Sequence, residues 1–303
     1  MTRLLLTGGS GFVGQHLQRH LRQISTEMEI FAPALDITDV QATNRLIEAT
    51  KPDALLHMAA ISAPAAAANA PDRAFAVNVR GTLNLAQAVM AHVPACRFVF
   101  ISSAEVYGHA FLAGTPVTEA TPLEPLTPYA KTKAEAEAAL ATIPGLKLLR
   151  LRPANHTGPG QTPSFVVPAF AQQIARIEEG LQPPILTTGN LDAKRDFLDV
   201  RDVCAAYAAA LALPAFNAGE ILNIGAGTTQ RIGDMLETLL GFSKARIRVE
   251  ADPAKQRPSE IPIAQMNTNS VRARLNWAPR INIHETLAET LDFWRAAEAT
   301  SQT

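Results

Sequence analysis

The sequence predicts an α/β protein built on a doubly wound parallel sheet, with a smaller, interleaved C-terminal substrate domain. Two observations lead to this fold class. Short apolar runs alternate with helical segments along most of the chain, and short turns separate them. A glycine-rich turn also follows the first apolar run directly and opens an amphipathic helix. With 303 residues, 47% of them hydrophobic, the chain can bury a large core.

Composition excludes several classes of function. The formal net charge of -1 gives no general attraction to nucleic acid or to a membrane surface. Apolar runs stay shorter than the ~20 residues that a membrane span needs, so we expect a cytoplasmic protein. Cys96 and Cys204 form neither a metal-spaced cluster nor a disulfide framework. We expect both cysteines to be packing residues in a reducing compartment, and we expect no metal site.

The first element is a buried strand, RLLLT, followed by GGSGFVGQHLQRHLR. Gly8, Gly11 and Gly14 stand three residues apart in this second segment. Such spacing lets the backbone turn tightly, approach a pyrophosphate and pack a helix closely on a strand. The free N–H groups and positive dipole end of that helix also suit a phosphate. The segment therefore predicts a dinucleotide site.

The second strand, EIFAP, indicates no cofactor preference. A site for NAD commonly has an acid at the end of this strand, and a site for NADP an arginine nearby. Here the positions are Ala32, Pro33 and Ala34. Asp36 follows, and it either contacts the adenine edge or caps the helix that begins near Val40.

The third strand, in DALLHMAA, ends in Ala59 and Ala60, which are small enough for a cofactor to lie across them. His57 has no carboxylate or second histidine nearby in sequence, so we interpret it as a packing residue. A helix over 72–93 follows and contains Gly81. Because glycine costs ~1 kcal/mol relative to alanine inside a helix, close packing is the expected reason for Gly81.

The segment LTPYAKTKAEAEAALATIPG predicts a helix that carries a phenol and an ammonium on one side. Thr127 suits the N-cap and Pro128 the first helical position. Tyr129 and Lys133 are then one turn apart on one face. A lysine cation, in a site shared with a charged cofactor ring, should favour the phenolate and bring proton transfer nearer neutrality. Alone, this spacing is more often a solvated surface pair.

Ser102 and Ser103 follow the strong strand RFVFI, at the carboxyl edge where open α/β sheets bind ligands. A serine hydroxyl there can hydrogen-bond the same oxygen that Tyr129 protonates. Without Tyr129, the simpler interpretation would be a serine that ends a strand.

The break after KLLRLRP predicts a change of domain. We expect a dinucleotide-binding domain over 1–155, to which residues 196–226 return with the late strand EILNIG. We expect a smaller substrate domain to comprise 156–195 and 227–303.

Four motifs, TGGSGFVG, HMAA, ISSAEVYG and YAKTK, occur in this order. Together they resemble the extended short-chain dehydrogenase/reductases that act on nucleotide sugars, over essentially the whole chain. RPANHTGPGQ, GNLDAKRDFLDVRDV and DPAKQRPSE resemble the branch that acts on GDP-4-keto-6-deoxy-D-mannose. The resemblance implies a Rossmann fold and NAD(P)H-dependent reduction of the C4 ketone to give GDP-D-rhamnose. It favours NADP(H) over NAD(H).

The resemblance also implies roles for individual residues. The catalytic residues would be Ser103, Tyr129 and Lys133. The residues matching the cofactor site are Gly8, Gly11, Phe12, Val13, Gly14, Asp36, Ile37, Ala59, Ala60, Tyr129 and Lys133. The residues matching the substrate site are Ser103, Glu105, Asn155, Arg195, Arg257 and Glu260. Members of this group commonly form homodimers through the helices that here carry Asn78 and Tyr129, and the alanines over 134–141 would permit close approach.

Two other functions stay open. Dehydratases in this group place an acid or hydroxyl residue after the active-site Ser or Thr, and Ala104 stands there instead. Glu105 keeps the glutamate that can act as a base, so a 4,6-dehydratase or 4-epimerase is the alternative. A non-catalytic protein that senses the cofactor is a third hypothesis, which the presence of both Tyr129 and Lys133 disfavours.

Overall fold

The computed structural model describes residues 2–253 and 261–300. The strands in these ranges are β1 (Thr2–Thr7), β2 (Met28–Phe31), β3 (Ala54–His57), β4 (Arg97–Ile101), β5 (Lys147–Pro153), β6 (Asn155–Thr157), β7 (Ile185–Thr188), β8 (Lys194–Arg195), β9 (Phe197–Asp199), β10 (Ile221–Ile224), β11 (Gln230–Arg231), β12 (Arg248–Ala251) and β13 (Ile263–Ala264). The helices are α1 (Phe12–Ile24), α2 (Val40–Thr50), α3 (Pro64–Asn69), α4 (Pro71–Phe75), α5 (Thr82–His92), α6 (Pro128–Ala141), α7 (Val166–Glu178), α8 (Val200–Leu211), α9 (Ile232–Gly241), α10 (Asn269–Leu275) and α11 (Ile283–Thr300).

The main sheet has six strands in the order β10-β5-β4-β3-β1-β2, and all neighbours are parallel. This confirms the doubly wound parallel sheet that the alternation of strands and helices predicted. The late strand β10 returns to the sheet beside β5, also as expected. The carboxyl ends of β1, β3 and β4 therefore lie along one edge of the sheet, where the three predicted ligand segments begin.

Both faces of the sheet are covered by helices. Successive side chains of a strand point to opposite faces, so Leu4 and Leu6 pack with α1 and α8 while Leu5 packs with α5 and α6. These three leucines are at most 1% exposed. Burial on both faces is why the strands read as continuous apolar runs rather than alternating ones.

The helical run after β3 differs from the single helix expected over 72–93. It consists of α4, a π-helical segment over Ala76–Gly81, and α5. The expected reason for Gly81 is confirmed, because a Cβ atom there would lie 2.5 Å from Cγ1 of Ile37. Asn78, inside the π-helical segment, is buried and binds both backbone groups of Ile61. A π-helical turn that interrupts an α-helical run is typical of functional sites.

A second group of helices covers the other end of the molecule. Helices α7, α9 and α11 pack around a separate apolar cluster that includes Phe170, Ile174, Leu236 and Leu291. The described residues also form three small sheets, namely β6-β9, β7-β12 and β11-β8-β13. The domain boundaries expected from the sequence stay a prediction. Among the described residues, every helix is too short or too polar to cross a membrane.

Candidate active site

The glycine turn between β1 and α1 has the close contacts that its spacing predicted. Gly8 has a positive φ of 75°, and a Cβ atom there would lie 2.8 Å from the backbone N of Ala59. A Cβ atom at Gly14 would lie 2.4 Å from the carbonyl oxygen of Gly8. The N-cap of α1 is Gly11, which provides no side-chain cap. The first N–H groups of α1, on Phe12 and Val13, therefore begin a helix whose positive end suits a phosphate.

Two residues expected at the cofactor site have other contacts. Asp36 accepts hydrogen bonds from Thr38 N and Oγ1, and these bonds lower the pKa of its carboxyl. It does not cap α2, because Asp39 accepts from Ala42 N at that position. The capping alternative for Asp36 was therefore wrong. Ile37 is 3% exposed and packs its side chain against Gly81, so only its backbone can face a ligand.

Helix α6 begins as the sequence predicted. The Thr127 hydroxyl accepts a hydrogen bond from Ala130 N at 3.1 Å, and Pro128 occupies the first turn. The same hydroxyl donates to Oε2 of Glu105 at 3.2 Å, which joins the start of α6 to the segment that follows β4. Tyr129 and Lys133 lie one turn apart on the buried face, and they are only 8% and 2% exposed. The pair is therefore not the solvated surface pair that the spacing alone would favour.

Burial, rather than Lys133, dominates the protonation of Tyr129. Removal from water raises the pKa of the phenol well above its ordinary value, and the nearby carboxylate of Glu105 raises it further. A hydrogen bond from the Ser103 side chain acts in the opposite direction. Without a bound cofactor, the pKa of the Tyr129 phenol is therefore raised, whereas a lysine cation beneath the phenol was expected to lower it. The Tyr129 phenol is consequently protonated across the neutral pH range.

Lys133 is held against the end of β4. Its Nζ donates to the carbonyl oxygen of Ile101 at 2.7 Å and lies 4.8 Å from the centroid of the Phe100 ring. Burial lowers the pKa of Lys133 to about 7, although the carboxylate of Glu137 opposes this shift. Ser103, one residue beyond Ser102 at the end of the same strand, caps a 3₁₀ segment by accepting from Glu105 N. The three residues expected to be catalytic therefore meet at one edge of the sheet.

A cleft of about 1180 Å³ opens beside this edge. Three of the residues expected at the substrate site, Glu105, Asn155 and Arg195, line it. Burial lowers the pKa of the Arg195 guanidinium, and the nearby carboxylate of Glu105 opposes this shift. Arg257 and Glu260, also expected there, lie outside the described residues.

Several residues that line the cleft were not predicted. Thr187, Thr188 and Asn190 contribute to it from the end of β7, so the rule that ligands bind at the carboxyl ends of strands could have identified them. Asp196, next to Arg195, accepts from the backbone N of Ala226 and of Gly227. Burial raises the pKa of Asp196 to about 6. Its two bonds hold the loop after β10 against β8, a long-range contact that sequence spacing does not indicate.

The family model described as GDP-mannose 4,6 dehydratase matches residues 19–290. The chain belongs to this family. GDP-6-deoxy-D-mannose reductase of Pseudomonas aeruginosa is 36% identical over 97% of this chain and 97% of that protein. A dTDP-glucose 4,6-dehydratase of Actinoplanes sp. is 29% identical over 97% of this chain and 98% of that protein.

Solved structures agree with the membership of the GDP-mannose 4,6 dehydratase family. The structure of RMD from Pseudomonas aeruginosa complexed with NADPH has a TM-score of 0.90 and 34% identity, and the match covers 98% of this chain and all (100%) of that one. The UDP-glucose 4-epimerase of Thermus thermophilus in complex with NAD has a TM-score of 0.82 and 27% identity, covering 97% and 99% of the two chains. The whole architecture is therefore shared with enzymes that act on nucleotide sugars.

The residues present fit a dinucleotide, NADPH included. Gly8 and Gly14 leave no room for a Cβ atom, and the N-cap of α1 is a glycine whose missing side chain leaves that helix end to a phosphate. Strand β2 ends at Phe31 and is followed by Ala32, whose Cβ atom packs against Gly9. A neutral residue at this point introduces no carboxylate that would repel a 2′-phosphate.

Proposed function

We propose that this chain is an NADPH-dependent reductase of the C4 ketone in a GDP-linked 4-keto-6-deoxyhexose, converting GDP-4-keto-6-deoxy-D-mannose to GDP-D-rhamnose. The observation that supports this most is the Tyr129 phenol, which is buried and protonated beside Ser103 and Glu105. Glu105 in turn lines a cleft large enough for a nucleotide sugar. The relative from Pseudomonas aeruginosa, a GDP-6-deoxy-D-mannose reductase, matches the chain along its whole length.

The chemistry follows from these environments. The glycine turn would hold NADPH, which would supply a hydride to C4 of the sugar. Tyr129 donates its proton to the carbonyl oxygen as negative charge develops there. The Ser103 hydroxyl donates a second hydrogen bond to that oxygen, and such a donor is worth ~3 to 4 kcal/mol in a preorganised site. Lys133, while protonated, offsets the charge that is left on the phenolate.

The cleft residues suit the remainder of the substrate. Arg195 can form charge-assisted bonds with a diphosphate, and Asn155 can bond to sugar hydroxyls. Glu105 is a carboxylate 3.2 Å from the Thr127 hydroxyl, close enough to Tyr129 to raise the pKa of the phenol. We propose that Glu105 contacts the substrate and that its negative charge adds to the effect of burial in keeping the proton on Tyr129. Reduction, unlike proton abstraction, requires a protonated donor.

The alternative function is that of a 4,6-dehydratase. Glu105 supports it, because this carboxylate lines the cleft and can act as a base. A dehydratase returns the hydride to its substrate and needs no reductant. Ala104 offers no group for acid-base work beside Glu105, which favours reduction. We therefore place dehydration second.

Two incubations separate these functions. Purified protein with GDP-4-keto-6-deoxy-D-mannose and NADPH should consume the cofactor and yield one GDP-linked 6-deoxyhexose by NMR. The same protein with GDP-mannose and catalytic NADP⁺ should form no keto-sugar. Accumulation of the keto-sugar in the second incubation, without NADPH oxidation in the first, would identify a dehydratase instead.

We also propose a homodimer in the cytoplasm. The exposed side of α6 carries Ala138 and Ala141, small residues that let a second helix approach closely. Cys96 and Cys204 are both free and buried, which suits a reducing compartment. Sedimentation at micromolar concentration should give about twice the mass of the chain, and a monomeric mass would contradict the dimer.

A further inference from the structure

His57 is a buried ionisable residue that the proposed chemistry does not use. It ends β3, is 0% exposed, and both of its ring nitrogens have a partner. Nδ1 lies 2.6 Å from Oγ1 of Thr7 at the end of β1. Nε2 lies 2.8 Å from Oγ1 of Thr82 at the start of α5. The imidazole thus joins three elements directly beneath the candidate site.

The direction of each hydrogen bond follows from the neighbours of the two threonines. Thr82 donates its only hydroxyl proton to the carbonyl oxygen of Asn78 at 2.7 Å, so its oxygen must accept from Nε2 of His57. Thr7 accepts from the backbone N of Ala59 at 3.3 Å, which leaves its own proton for Nδ1 of His57. The ring therefore carries one proton, on Nε2, and accepts at Nδ1.

The surroundings of the ring also require it to be neutral. The ring centroids of His57 and Phe100 are 5.7 Å apart, and the Lys133 ammonium lies 4.8 Å from that same Phe100 ring. A second buried cation here would repel Lys133, and both would be removed from water. In agreement with this geometry, burial and then Lys133 lower the pKa of His57 to about 3.

Thr7 and Thr82, the two partners of the imidazole, each form further hydrogen bonds. On one side, Thr7 fixes the backbone of Ala59, against which the glycine turn packs. On the other side, Thr82 binds the carbonyl of Asn78, whose side chain donates to Thr132 Oγ1 in α6 at 3.0 Å. Thr132 in turn donates to the carbonyl oxygen of Tyr129 at 2.8 Å. One line of hydrogen bonds thus connects the glycine turn with the helix that carries Tyr129 and Lys133.

We propose that His57, as the neutral Nε2–H tautomer, is a positioning residue that sets the Ala59 backbone and the catalytic helix relative to each other. The importance of His57 for cofactor binding rests on the proposed function. The assignment of its proton to Nε2 does not depend on that function. The substitutions separate the two bonds. His57→Asn can still accept from Thr7, His57→Gln can still donate to Thr82, and His57→Leu can do neither.

Nitrogen-15 NMR of histidine-labelled wild-type protein tests the tautomer without any substitution. His57 should show one protonated and one unprotonated nitrogen, unchanged from about pH 5 to about pH 8, the range in which an ordinary histidine titrates. A protonated Nδ1, or a resonance that titrates in this range, would overturn the proposal. This result does not depend on whether the protein reduces a sugar.

Binding of NADPH, followed by fluorescence, tests the positioning role. We expect Kd to rise about tenfold or more in His57→Leu and in His57→Gln, which release Thr7, and less than about threefold in His57→Asn. His92→Leu, a substitution of an exposed histidine on α5, should leave Kd unchanged. Equal Kd values in wild type and all three His57 variants would contradict the role, even if the variants melt at lower temperature. Unchanged NADPH affinity together with wild-type reduction of the keto-sugar in all three variants would overturn the role of His57 and leave the proposed function standing.

Discussion

Glu137 on α6 and Arg152 on β5 form a buried ion pair, in which Oε2 of Glu137 lies 2.6 Å from Nη2 of Arg152. Their side chains are only 2% and 3% exposed. Arg152 also donates to the Tyr107 hydroxyl at 2.9 Å, and that hydroxyl donates to Asn223 in β10. The pair therefore fixes α6, one turn beyond Lys133, to two neighbouring strands of the sheet.

Removal of one partner of this pair should destabilise the protein strongly. Glu137→Ala leaves the Arg152 cation buried without its carboxylate, which costs about 3–5 kcal/mol of the free energy of unfolding. Glu135→Ala, an exposed change two residues earlier on the same helix, should cost less than about 0.5 kcal/mol. Urea unfolding of both variants measures the difference. Similar unfolding free energies for the two would show that the ion pair contributes nothing.

The glycine turn should not tolerate a side chain at Gly14. A Cβ atom there would lie 2.4 Å from Gly8 O and 2.7 Å from Gly9 Cα, both backbone atoms that cannot move aside alone. Gly14→Ala should lower the free energy of unfolding by about 1–3 kcal/mol. It should also raise Kd for NADPH about tenfold or more. The control is Gly241→Ala at the end of α9, where nothing lies within 4 Å of the added atom. That change should leave NADPH affinity unaltered and stability equal or slightly higher.

The pH dependence of kcat/KM for NADPH should report the protonation of Lys133. Its pKa is lowered to about 7, chiefly by burial, so the ammonium is present below that pH and is lost above it. Tyr129 has a raised pKa and stays protonated throughout. kcat/KM for NADPH should therefore fall about tenfold per pH unit above pH 7, because this ratio reports the enzyme form to which NADPH binds. In Lys133→Met the decline should be absent, and a flat profile in wild type would contradict the assignment.

Substitution of Arg195 should weaken binding of the nucleotide sugar more than binding of the cofactor. It lines the cleft on β8, away from the glycine turn. Arg195→Met should raise KM for the nucleotide sugar about 10- to 100-fold, as expected for the loss of a hydrogen bond to a charged group, while Kd for NADPH stays constant. Lys194→Met, an exposed change on the neighbouring residue, is the matched control. An equal rise in KM for both variants would show that general charge, rather than a specific contact, is responsible.

The features that sequence reasoning predicted well depend on local spacing. The positions of Gly8, Gly11 and Gly14, and those of Tyr129 and Lys133 on one helix, are fixed by turn and helix geometry. The alternation of strands and helices likewise predicted the parallel sheet and the return of β10.

The features that it missed depend on contacts between distant segments. The π-helical segment around Asn78 coincides with hydrogen bonds to Ile61 and Thr132, which are 17 and 54 residues away. The raised pKa of Tyr129 depends on burial and on Glu105, neither of which the motif reveals. Asp36 and Asp39 are similar by sequence, and only the structure shows that Asp39 caps α2.

The most direct test of the proposed reduction follows the transferred hydrogen. NADPH that carries deuterium at both C4 positions of the nicotinamide is incubated with GDP-4-keto-6-deoxy-D-mannose and either wild-type protein or Tyr129→Phe. Wild type should place deuterium at C4 of the sugar product, and Tyr129→Phe should bind NADPH normally but form product about 10²- to 10⁴-fold more slowly. A wild-type product without deuterium at C4, or full turnover by Tyr129→Phe, would contradict the proposal.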